Sequence, residues 1–385
     1  MPGQKRIVIL TSLTGGGHLS LAEALRDLLT SAWGSQVAIT ITDPQPQIVG
    51  WHYRMVSRYA LRLWSAEFAL LDSPKRARLA QRAFARLTRR ALDATLDAAA
   101  PDLVISTYPF FSYVAFEALR RHGERPLALL LSDPDHVHAT WLAERRAAVT
   151  LAPTRETYQQ ARAAGFASVR LLLSGWPVRG QFLATSATPE AAQAERERTL
   201  TALGLDPSRF TLFLQGGGEG SAHAGRSIAS ARAVSGAQVI LAAGSNRELL
   251  ARYQGVPSVA ALPYTANIAP YMAAADVIMG KAGPNTLFEA VMLGKPFIAT
   301  TYIPGQESPN LAFIQRHGLG WVALTAAQRH TLLARLVRTG EALDAMSASV
   351  NAYRQWNLQA TASIAPALRA LLESHPASRA STEGG

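Results

Sequence analysis

Near the start of the chain, three consecutive glycines precede a histidine in the order Thr14-Gly15-Gly16-Gly17-His18. Glycine has no side chain, so Gly16 and Gly17 would let a ligand approach the backbone closely. The positive end of a helix dipole keeps a histidine at a helix N-terminus neutral, with a lone pair that can accept a proton from an attacking hydroxyl. His18 is therefore a candidate general base. The alternative is a histidine that merely packs at a loop–helix junction.

A second polar cluster follows an apolar segment at residues 126–131, and it reads Asp133-Pro134-Asp135-His136-Val137-His138-Ala139-Thr140-Trp141. Two carboxylates followed by two imidazoles are typical of a metal site. Asp133 at the end of a strand also suits an Asx turn, in which the side chain accepts a hydrogen bond from its own loop. Local sequence leaves both interpretations open.

A third polar group lies within residues 278–310. Lys281-Ala282-Gly283-Pro284-Asn285-Thr286 ends an apolar strand, Glu289 follows on a helix, and a loop carries Gln306 and Glu307. The run from Thr286 to Glu289 has the Ser/Thr-x-x-Glu pattern of a capping box, and spacing alone favours that interpretation of Glu289. For Gln306 and Glu307 the alternative is an ordinary exposed loop.

These residues are attached to elements that repeat in two halves of the chain. An apolar strand at residues 7–10 runs into the first glycine loop and a helix, and a strand at 210–214 runs into Gln215-Gly216-Gly217-Gly218-Glu219-Gly220 and another helix. In open α/β sheets, ligands bind where strands end and helices begin. Neither loop has the Gly-x-Gly-x-x-Gly spacing or a Walker lysine, so dinucleotide and P-loop interpretations are weak.

Composition narrows the class of protein. At 385 residues, with 48% hydrophobic and 17% charged residues, the chain is expected to form two globular domains. It has no cysteine, which excludes disulfides and thiolate chemistry. A net charge of +11 indicates an anionic partner, which can be a nucleic acid, a lipid surface or a small ligand.

Residues 50–92 are predicted to be mostly helical and are strongly basic. Arg82, Arg86 and Arg90 belong to a run without any acidic residue between Lys75 and Arg90, and aromatic residues including Trp51 and Trp64 precede it. A basic amphipathic stretch with aromatic residues is typical of a protein that lies on an anionic membrane. The alternative is one or two solvated helices packed on the domain. Nucleic acid is disfavoured because no recognised binding motif accompanies the stretch.

Taken together, these segments resemble glycosyltransferase family 28, in the branch of monogalactosyldiacylglycerol synthases and processive diacylglycerol glucosyltransferases. The family's donor motif runs Lys-Ala-Gly-Pro-Gly-Thr, Glu-Ala and Pro-Gly-Gln-Glu, and it is matched by residues 281–284, Thr286, 289–290 and 304–307. Asn285 replaces a glycine of the family, Leu19 a basic residue and Ala139 a proline. The matching motifs occur in the family's order over about residues 5–355.

The resemblance implies a role for each motif. Glu289 would bind ribose hydroxyls, Gln306 and Glu307 would contact the sugar, and His18 or Asp133 would act on the acceptor. Donor binding is implied for Arg179, Gly216, Gly217, Gly218, Glu219, Pro263, Tyr264, Lys281, Gly283, Pro284, Asn285, Thr286, Glu289, Gln306 and Glu307. Acceptor or membrane contact is implied for Gly16, Gly17, Trp51, Trp64, Arg82, Arg86, Arg90, His138 and Trp141.

The fold implied by the resemblance is an α/β fold of GT-B architecture, with two doubly wound, Rossmann-like domains facing across a cleft. We expect an acceptor and membrane-binding domain at residues 1–182, joined by a returning C-terminal helix at about 352–373. A donor-binding domain at 183–351 and a disordered tail at 374–385 complete the predicted organisation.

The activity implied by the resemblance is inverting transfer of galactose or glucose from a UDP-sugar to the hydroxyl of diacylglycerol or a related lipid, without a metal or other cofactor. The expected partners are UDP-galactose or UDP-glucose, the lipid and an anionic membrane surface, and not nucleic acid. Residues 1–9 lack a signal-peptide core and no apolar run approaches ~18 residues. The expected location is therefore cytoplasmic, peripheral on the inner face of the membrane.

Three alternatives remain open at this point. One is a cell-wall N-acetylglucosaminyltransferase of the same family, which acts on a lipid-linked intermediate. Another is a UDP-sugar epimerase on the same fold. The third is a non-catalytic UDP-sugar-binding protein, which would bind UDP without turnover.

Overall fold

A computed structural model describes residues 4–13, 16–46, 49–51, 55, 61–184, 188–215 and 221–375. The chain divides into two compact units. The first contains the chain up to Arg179 and again from Asn357, and the second is Gly180–Trp356. The boundaries predicted from the sequence were 182/183 and about 352.

The first unit is built on a six-stranded parallel sheet in the order β2-β1-β3-β4-β5-β6. Its central strands are short; Leu103–Ser106 and Leu127–Leu130 are fully buried and Lys5–Leu10 is buried from Ile7 onward, as expected for a parallel sheet covered on both faces. The strands are Lys5–Leu10 (β1), Val37–Thr42 (β2), Leu103–Ser106 (β3), Leu127–Leu130 (β4), Val149–Ala152 (β5) and Leu171–Leu173 (β6).

Helices connect these strands and cover the sheet. They are Gly17–Trp33 (α1), Leu61–Leu71 (α2), Pro74–Ala99 (α3), Pro109–Arg121 (α4), Ala139–Leu142 (α5) and Arg155–Ala163 (α6). The long helix α3 buries Phe84 and Leu92 against Val104 and Phe111 of the core. Pro74 and Pro109 occupy the first helical positions, where a missing N–H costs nothing.

The second unit repeats the design with the strand order β12-β11-β10-β7-β8-β9. All its strand pairs are parallel. The strands are Phe210–Gln215 (β7), Ala237–Gly244 (β8), Val259–Pro263 (β9), Val277–Lys281 (β10), Phe297–Thr301 (β11) and Gly320–Val322 (β12).

The remaining helices belong mainly to the second unit. They are Pro189–Ala202 (α7), Ser221–Arg232 (α8), Arg247–Tyr253 (α9), Ala269–Ala273 (α10), Pro284–Met292 (α11), Ser308–Arg316 (α12), Ala326–Thr339 (α13), Glu341–Thr361 (α14) and Ile364–Ser374 (α15). Short 3₁₀ turns occupy Gly34–Gln36, Ser168–Arg170 and Gly180–Phe182.

The chain rejoins the first unit within α14. Asn357 is fully buried there, and its side-chain oxygen accepts from the Trp176 backbone N–H at 2.7 Å while its amide donates to the Trp176 carbonyl at 3.0 Å. The Asn357 side chain thus satisfies both the backbone N–H and the backbone carbonyl of Trp176. This pair of hydrogen bonds ties the returning helix to the segment after β6.

Two details differ from the sequence predictions. Residues 304–307 form a turn, but Ser308–Arg316 is helical, so the loop that the sequence predicts over residues 302–310 is three residues too long. The predicted disordered tail began at residue 374, whereas Ser374 is the last residue of α15. The rest of that prediction, residues 376–385, lies outside the described part of the chain.

Among the described helices, none combines the length and the apolar composition that a membrane-spanning segment requires.

Candidate active site

Each sheet has one point at which the strand order reverses, and ligands of doubly wound folds bind at the carboxyl ends of the strands there. In the first sheet this point lies between β1 and β3, and in the second between β7 and β10. The candidate residue His18 follows β1, and Lys281 is the last residue of β10. The fold therefore places both predicted motifs where the topology favours a ligand.

His18 is the second residue of α1, which begins at Gly17. Gly16 precedes the helix with φ 75°, a left-handed conformation that glycine adopts without strain, and the space beside its Cα is open. Burial lowers the pKa of His18 to about 4, although a hydrogen bond to Thr107 opposes the shift. The imidazole is therefore neutral at pH 7, as the sequence predicts, but burial is the dominant cause.

The tautomer of His18 follows from its neighbour at the end of β3. His18 Nδ1 lies 2.7 Å from the Thr107 carbonyl oxygen, which can only accept, so the ring proton is on Nδ1. The Thr107 hydroxyl in turn donates to the His18 carbonyl at 3.2 Å. Nε2 has no hydrogen-bond partner within the described residues. This arrangement leaves one lone pair, on Nε2, available to accept a proton.

The loop after β4 comes close to the same imidazole. The Ser132 hydroxyl lies 3.5 Å from His18 Nδ1, and Asp133 is the next residue. Burial raises the pKa of Asp133, partly offset by the backbone N–H of His138, which donates to its carboxylate at 3.1 Å. Asp133 therefore stabilises its own loop through a hydrogen bond to the residue five positions ahead, whereas in an Asx turn the bonded residue is two positions ahead.

His138 and Trp141 are structural in this loop. The His138 ring caps α5 by accepting from the Thr140 backbone N–H, and its Nε2 bonds the Phe68 carbonyl at 2.9 Å. Trp141 is only 1% exposed and packs in a core cluster with Leu131 and Phe166. Their burial excludes a direct contact of these two rings with a membrane surface, whereas their predicted contact with the acceptor stays a prediction.

The sequence interpretation overlooked residues that hold this loop in place. Asp72, just after α2, accepts from the Ala139 backbone N–H at 2.9 Å and bonds the His136 ring at 2.7 Å. Gln81 is buried in α3 and donates to the Pro109 and Thr140 carbonyls. A glutamine on the apolar face of a helix was the available signal, since burial of an amide demands specific partners.

At the second reversal point, the helix α11 begins at Pro284 with Gly283 as its N-cap. Thr286 is therefore inside the first turn and cannot cap the helix, so the capping-box interpretation of Glu289 is wrong. The Thr286 hydroxyl instead donates to Gln215 Oε1 at 2.5 Å, which joins α11 to the end of β7. Glu289 lies about one turn along this helix and is only 5% exposed.

The loop that precedes α12 brings an ion pair to the same place. Lys281 pairs with Glu307 Oε1, and Glu307 Oε2 accepts from the Ile303 backbone N–H at 2.8 Å. Both carboxylate oxygens are therefore engaged within the unit. Gln306 differs, because its buried Oε1 has no partner in the described part of the chain. An unpaired buried acceptor costs about 1–3 kcal/mol, which a donating ligand hydroxyl would recover.

The remaining predicted donor residues lie in varied settings. Arg179 is half-buried at the end of the first unit. Pro263 ends β9, and Tyr264 after it is 76% exposed. Asn285 is half-buried in the first turn of α11. Gly216, Gly217, Gly218 and Glu219 lie outside the described residues.

The basic stretch forms an exposed face on α3. Arg82, Arg86 and Arg90 are all exposed, and between and before them stand Leu79 at 69% and Leu87 at 63% exposure. The opposite face buries Phe84, so the helix is amphipathic with leucines on its outer side as well. Of the two predicted tryptophans, Trp51 is exposed and Trp64 is half-buried.

Among the described residues, no three His, Cys, Asp or Glu side chains are grouped closely enough to hold a metal ion. The cluster at 133–138 is instead divided among backbone and side-chain hydrogen bonds. His136 bonds Asp72, and His138 bonds Phe68 and Thr140.

Comparison with protein families gives two matches that follow each other along the chain. The family described as monogalactosyldiacylglycerol (MGDG) synthase matches residues 18–178. The glycosyltransferase family 28 C-terminal domain matches residues 211–354.

Curated relatives agree with these matches. Monogalactosyldiacylglycerol synthase 1 of Arabidopsis thaliana, a chloroplastic protein, is 28% identical over 340 residues, which is 82% of this chain and 62% of that protein. Monogalactosyldiacylglycerol synthase 3 of the same plant is 28% identical over 338 residues, covering 82% and 70% of the two chains. The chain thus spans about 62% of the length of the first of these relatives.

Solved structures with the same fold are nucleotide-sugar proteins. HepE of Anabaena, crystallised with UDP-glucose, covers 95% of this chain and 99% of its own with a TM-score of 0.57 and 16% identity. A UDP-glucosyltransferase from Polygonum tinctorium covers 97% and 99% with a TM-score of 0.64 and 13% identity. The chain has the GT-B α/β fold of these proteins, and its two parts are similar to the monogalactosyldiacylglycerol synthase family at residues 18–178 and to the glycosyltransferase family 28 C-terminal domain at residues 211–354.

Proposed function

We propose that the protein transfers a hexose, galactose or glucose, from a UDP-sugar to the hydroxyl of diacylglycerol or a related lipid, with inversion at the anomeric carbon. The observation that carries the proposal is the neutral imidazole of His18, with its proton on Nδ1 and its Nε2 free. The names of the curated relatives support the lipid acceptor and galactose, and the complex of HepE with UDP-glucose supports a UDP-sugar donor.

In the proposed reaction, the acceptor hydroxyl attacks the anomeric carbon while the bond to the UDP oxygen breaks. His18 Nε2 takes the hydroxyl proton as the new bond forms, and the Thr107 carbonyl stabilises the resulting imidazolium through Nδ1. Asp133 is the other candidate for this step, since its raised pKa makes it a stronger base than an ordinary aspartate. One in-line displacement inverts the configuration.

The donor is held by groups at the start of α11 and in the loop after β11. The free N–H groups and the dipole at the helix start favour the diphosphate of the donor. Glu289 accepts hydrogen bonds from ribose hydroxyls, and Gln306 Oε1 accepts one from the sugar, which removes an unpaired buried oxygen. In this proposal Glu307 positions Lys281 and the loop, because both of its oxygens are already engaged.

The lipid acceptor is reached from a membrane surface through the outer face of α3. Its arginines attract anionic headgroups, and Leu79 and Leu87 are exposed where they can enter the acyl boundary. This combination fits a peripheral membrane helix better than a solvated helix, because a solvated helix gains nothing from exposing two leucines to water among its arginines.

The test is to incubate the purified protein with diacylglycerol in anionic vesicles and with labelled UDP-galactose or UDP-glucose in parallel. Labelled glycolipid from one donor would establish the activity and identify the sugar. UDP binding without product from either donor would contradict the proposed acceptor and favour a non-catalytic or cell-wall function. Failure to bind UDP would refute the proposal as a whole.

The membrane contact predicts a specific loss. Changing Arg82, Arg86 and Arg90 to Gln is expected to weaken binding to anionic vesicles on the order of a hundredfold, since each basic residue at the surface contributes ~1 kcal/mol. Vesicle sedimentation at low and high salt measures the effect.

The matched control removes the same charge from the second unit, through Arg232, Arg335 and Arg338, all of them exposed. Equal weakening by both triple variants would show that net charge alone, not the face of α3, attracts the membrane.

A further inference from the structure

Gln215 is the last residue of β7, at the point where the strand order of the second sheet reverses. The four residues before it are buried in the strand, whereas Gln215 is exposed. Its side chain lies beside the neighbouring strand β10, because a Cβ on Gly280 would be 3.5 Å from Gln215 Cβ and 4.0 Å from its Oε1. Neither the donor motif nor the proposed mechanism uses this side-chain amide.

The orientation of the amide is fixed by the first turn of α11. The Thr286 hydroxyl donates to Gln215 Oε1 at 2.5 Å, although the two residues are 71 positions apart in the chain. Because Oε1 accepts this bond, Nε2 and its two N–H donors face away from Thr286. Nε2 has no acceptor within the described residues. The side chain therefore offers oriented hydrogen-bond donors at the edge where the topology favours a ligand.

Holding an exposed glutamine in one orientation has an entropic cost. Glutamine is among the side chains that lose the most rotamer freedom when they are ordered, and water can satisfy its amide at a surface. Two roles can offset this cost. The bond to Thr286 can join β7 to α11, or it can hold the N–H groups of Gln215 ready for a ligand, which lowers the cost of binding.

The charge balance around α11 favours the second role. Lys281 is the one cation of the donor motif, and it pairs with Glu307 beside Gly283, the N-cap of α11. Glu289 adds another carboxylate to the same motif. A diphosphate bound at this helix start therefore meets a cation that is already paired, and it needs N–H donors to balance its charge.

The start of α11 supplies only part of these donors. The first-turn N–H groups of a helix lack acceptors within the helix, but Pro284, at the first position of α11, has no N–H. The amide of Gln215 is bonded to the same turn through Thr286. Its Nε2 can therefore supply the donor that the proline removes.

We propose that Gln215 is a further residue of the donor site: its Nε2 donates a hydrogen bond to an oxygen of the diphosphate, and Thr286 is the positioning residue that orients the amide. A phosphate oxygen suits this group better than a sugar hydroxyl, because a hydrogen bond to an ionised oxygen is roughly twice as strong as one to a neutral oxygen. The inference rests on the proposed function, in which the start of α11 holds the diphosphate.

The test is calorimetric titration of the full chain with UDP and with uridine, which lacks the diphosphate. Gln215→Met removes the donors and is expected to weaken UDP binding about tenfold, as for a lost hydrogen bond to a charged group. Gln215→Glu keeps an acceptor for Thr286 but puts a negative charge in place of the donors, so a loss of about a hundredfold is expected. Uridine affinity should be unchanged in both variants. If Gln215→Glu binds UDP as tightly as the unaltered chain, the amide only joins β7 to α11 and the proposal is overturned.

The matched control is Gln254→Glu. Gln254 is exposed at the end of α9 and precedes β9, so the same change of charge occurs at the opposite edge of the sheet. UDP affinity is expected to be unchanged. Equal weakening by this control would show that the net charge of the chain, not the position of the amide, determines the affinity, and it would overturn the proposal.

The positioning role of Thr286 is tested by rescue. Thr286→Val removes the hydroxyl and is expected to weaken UDP binding about twofold to tenfold, as for a lost neutral hydrogen bond, whereas Thr286→Ser should restore the affinity. In the Gln215→Met background, Thr286→Val should have no further effect. Independent losses that add in the double variant would show that Thr286 does not act through Gln215.

Titrations with UDP-galactose and UDP-glucose separate the diphosphate from the sugar. The Gln215 variants are expected to lose affinity for both by the same factor as for UDP. A loss confined to the UDP-sugars would place the amide at the sugar and overturn the proposal. UDP binding that depends on Gln215, without any sugar transfer, would refute the proposed activity and support the role of Gln215. No UDP binding by the unaltered chain would refute both.

Discussion

The two sheets end in candidate sites of the same topology, but the polar group of the first is neutral and those of the second are charged. At the reversal point of the first sheet, His18 is neutral and its Nδ1 is committed to the Thr107 carbonyl. At that of the second sheet, Lys281 and Glu307 form an ion pair and Glu289 is buried beside a helix start. Both sites arise from a strand that ends, a glycine-containing loop and a helix that begins.

The two candidate sites differ in which polar groups remain available for a hydrogen bond to a ligand. Around His18 the hydroxyl of Thr107 is paired, and the remaining capacity is one lone pair on Nε2. In the second unit the remaining capacity is an acceptor, the buried Oε1 of Gln306, together with the first N–H groups of α11. In the proposed reaction, the first copy of the fold would supply a proton acceptor and the second a binding surface for hydroxyls and phosphates.

The sharpest way to test this contrast is His18→Ala. Removal of a general base is expected to lower kcat by about a hundredfold to ten-thousandfold, while UDP binding in the second unit stays unchanged. Single-turnover assays with vesicle-bound acceptor and calorimetry with UDP give the two readouts. His122→Ala is the control, since this histidine pairs with Asp93 and Asp97 away from the site. Near-normal turnover would remove His18 from the mechanism and favour Asp133.

The substitution Glu289→Gln tests the second candidate site through its affinity for UDP. Loss of a charged acceptor for ribose hydroxyls is expected to weaken UDP binding about tenfold to a hundredfold. Glu248→Gln, an exposed carboxylate on α9, provides the control. Unchanged UDP affinity, in a variant that melts at the normal temperature, would assign the buried carboxylate to the fold rather than to the donor.

Gln306→Met separates sugar recognition from nucleotide binding. The variant removes an unpaired buried oxygen, so the free protein is expected to gain about 1 kcal/mol in its free energy of unfolding. KM for the UDP-sugar is expected to rise about tenfold, while the Kd of UDP is unaffected. The exposed Gln315→Met is the control on the following helix. Equal loss of UDP and UDP-sugar affinity would place Gln306 at the nucleotide instead.

The smallest expected effect is an absence of pH dependence. Because the pKa of His18 is lowered from 6.5 to about 4, kcat/KM should show no acid limb near 6.5. The unfolded chain binds a proton more tightly across this interval, so stability is complete above 6.5 and declines as the pH falls toward about 4. An acid limb near 6.5 that disappears in His18→Ala would show that His18 is solvated.

The sequence predicted much of the second site because its groups are neighbours along the chain. The strand, glycine turn and helix at residues 277–292 follow from apolar runs and from the glycine and proline that separate them. The resemblance to the family's donor motif adds Gln306 and Glu307. The capping box failed because Pro284 at the first helical position moves the helix start ahead of Thr286. The local pattern suited a cap at Thr286, whereas the helix is capped three residues earlier, at Gly283.

The environment of the first site was much less predictable. Thr107 lies 89 residues from His18, and Asp72 lies 67 residues from Ala139, yet they decide the tautomer and the loop. For His138 and Trp141 the motif implied acceptor or membrane contact, and only the structure shows that packing against Phe68 and Leu131 buries both rings. A motif indicates which residues lie close together, but it does not indicate which of their side chains are buried by distant parts of the chain.

The sequence by itself determined the two repeated α/β halves, the positions of their glycine loops and the family, because these depend on local periodicity and contiguous motifs. Only the tertiary structure decided that His18 keeps its proton on Nδ1 and that Glu307 is paired with Lys281. These properties depend on burial and on partners distant in the chain, and both are set by how strands and helices pack rather than by any one segment.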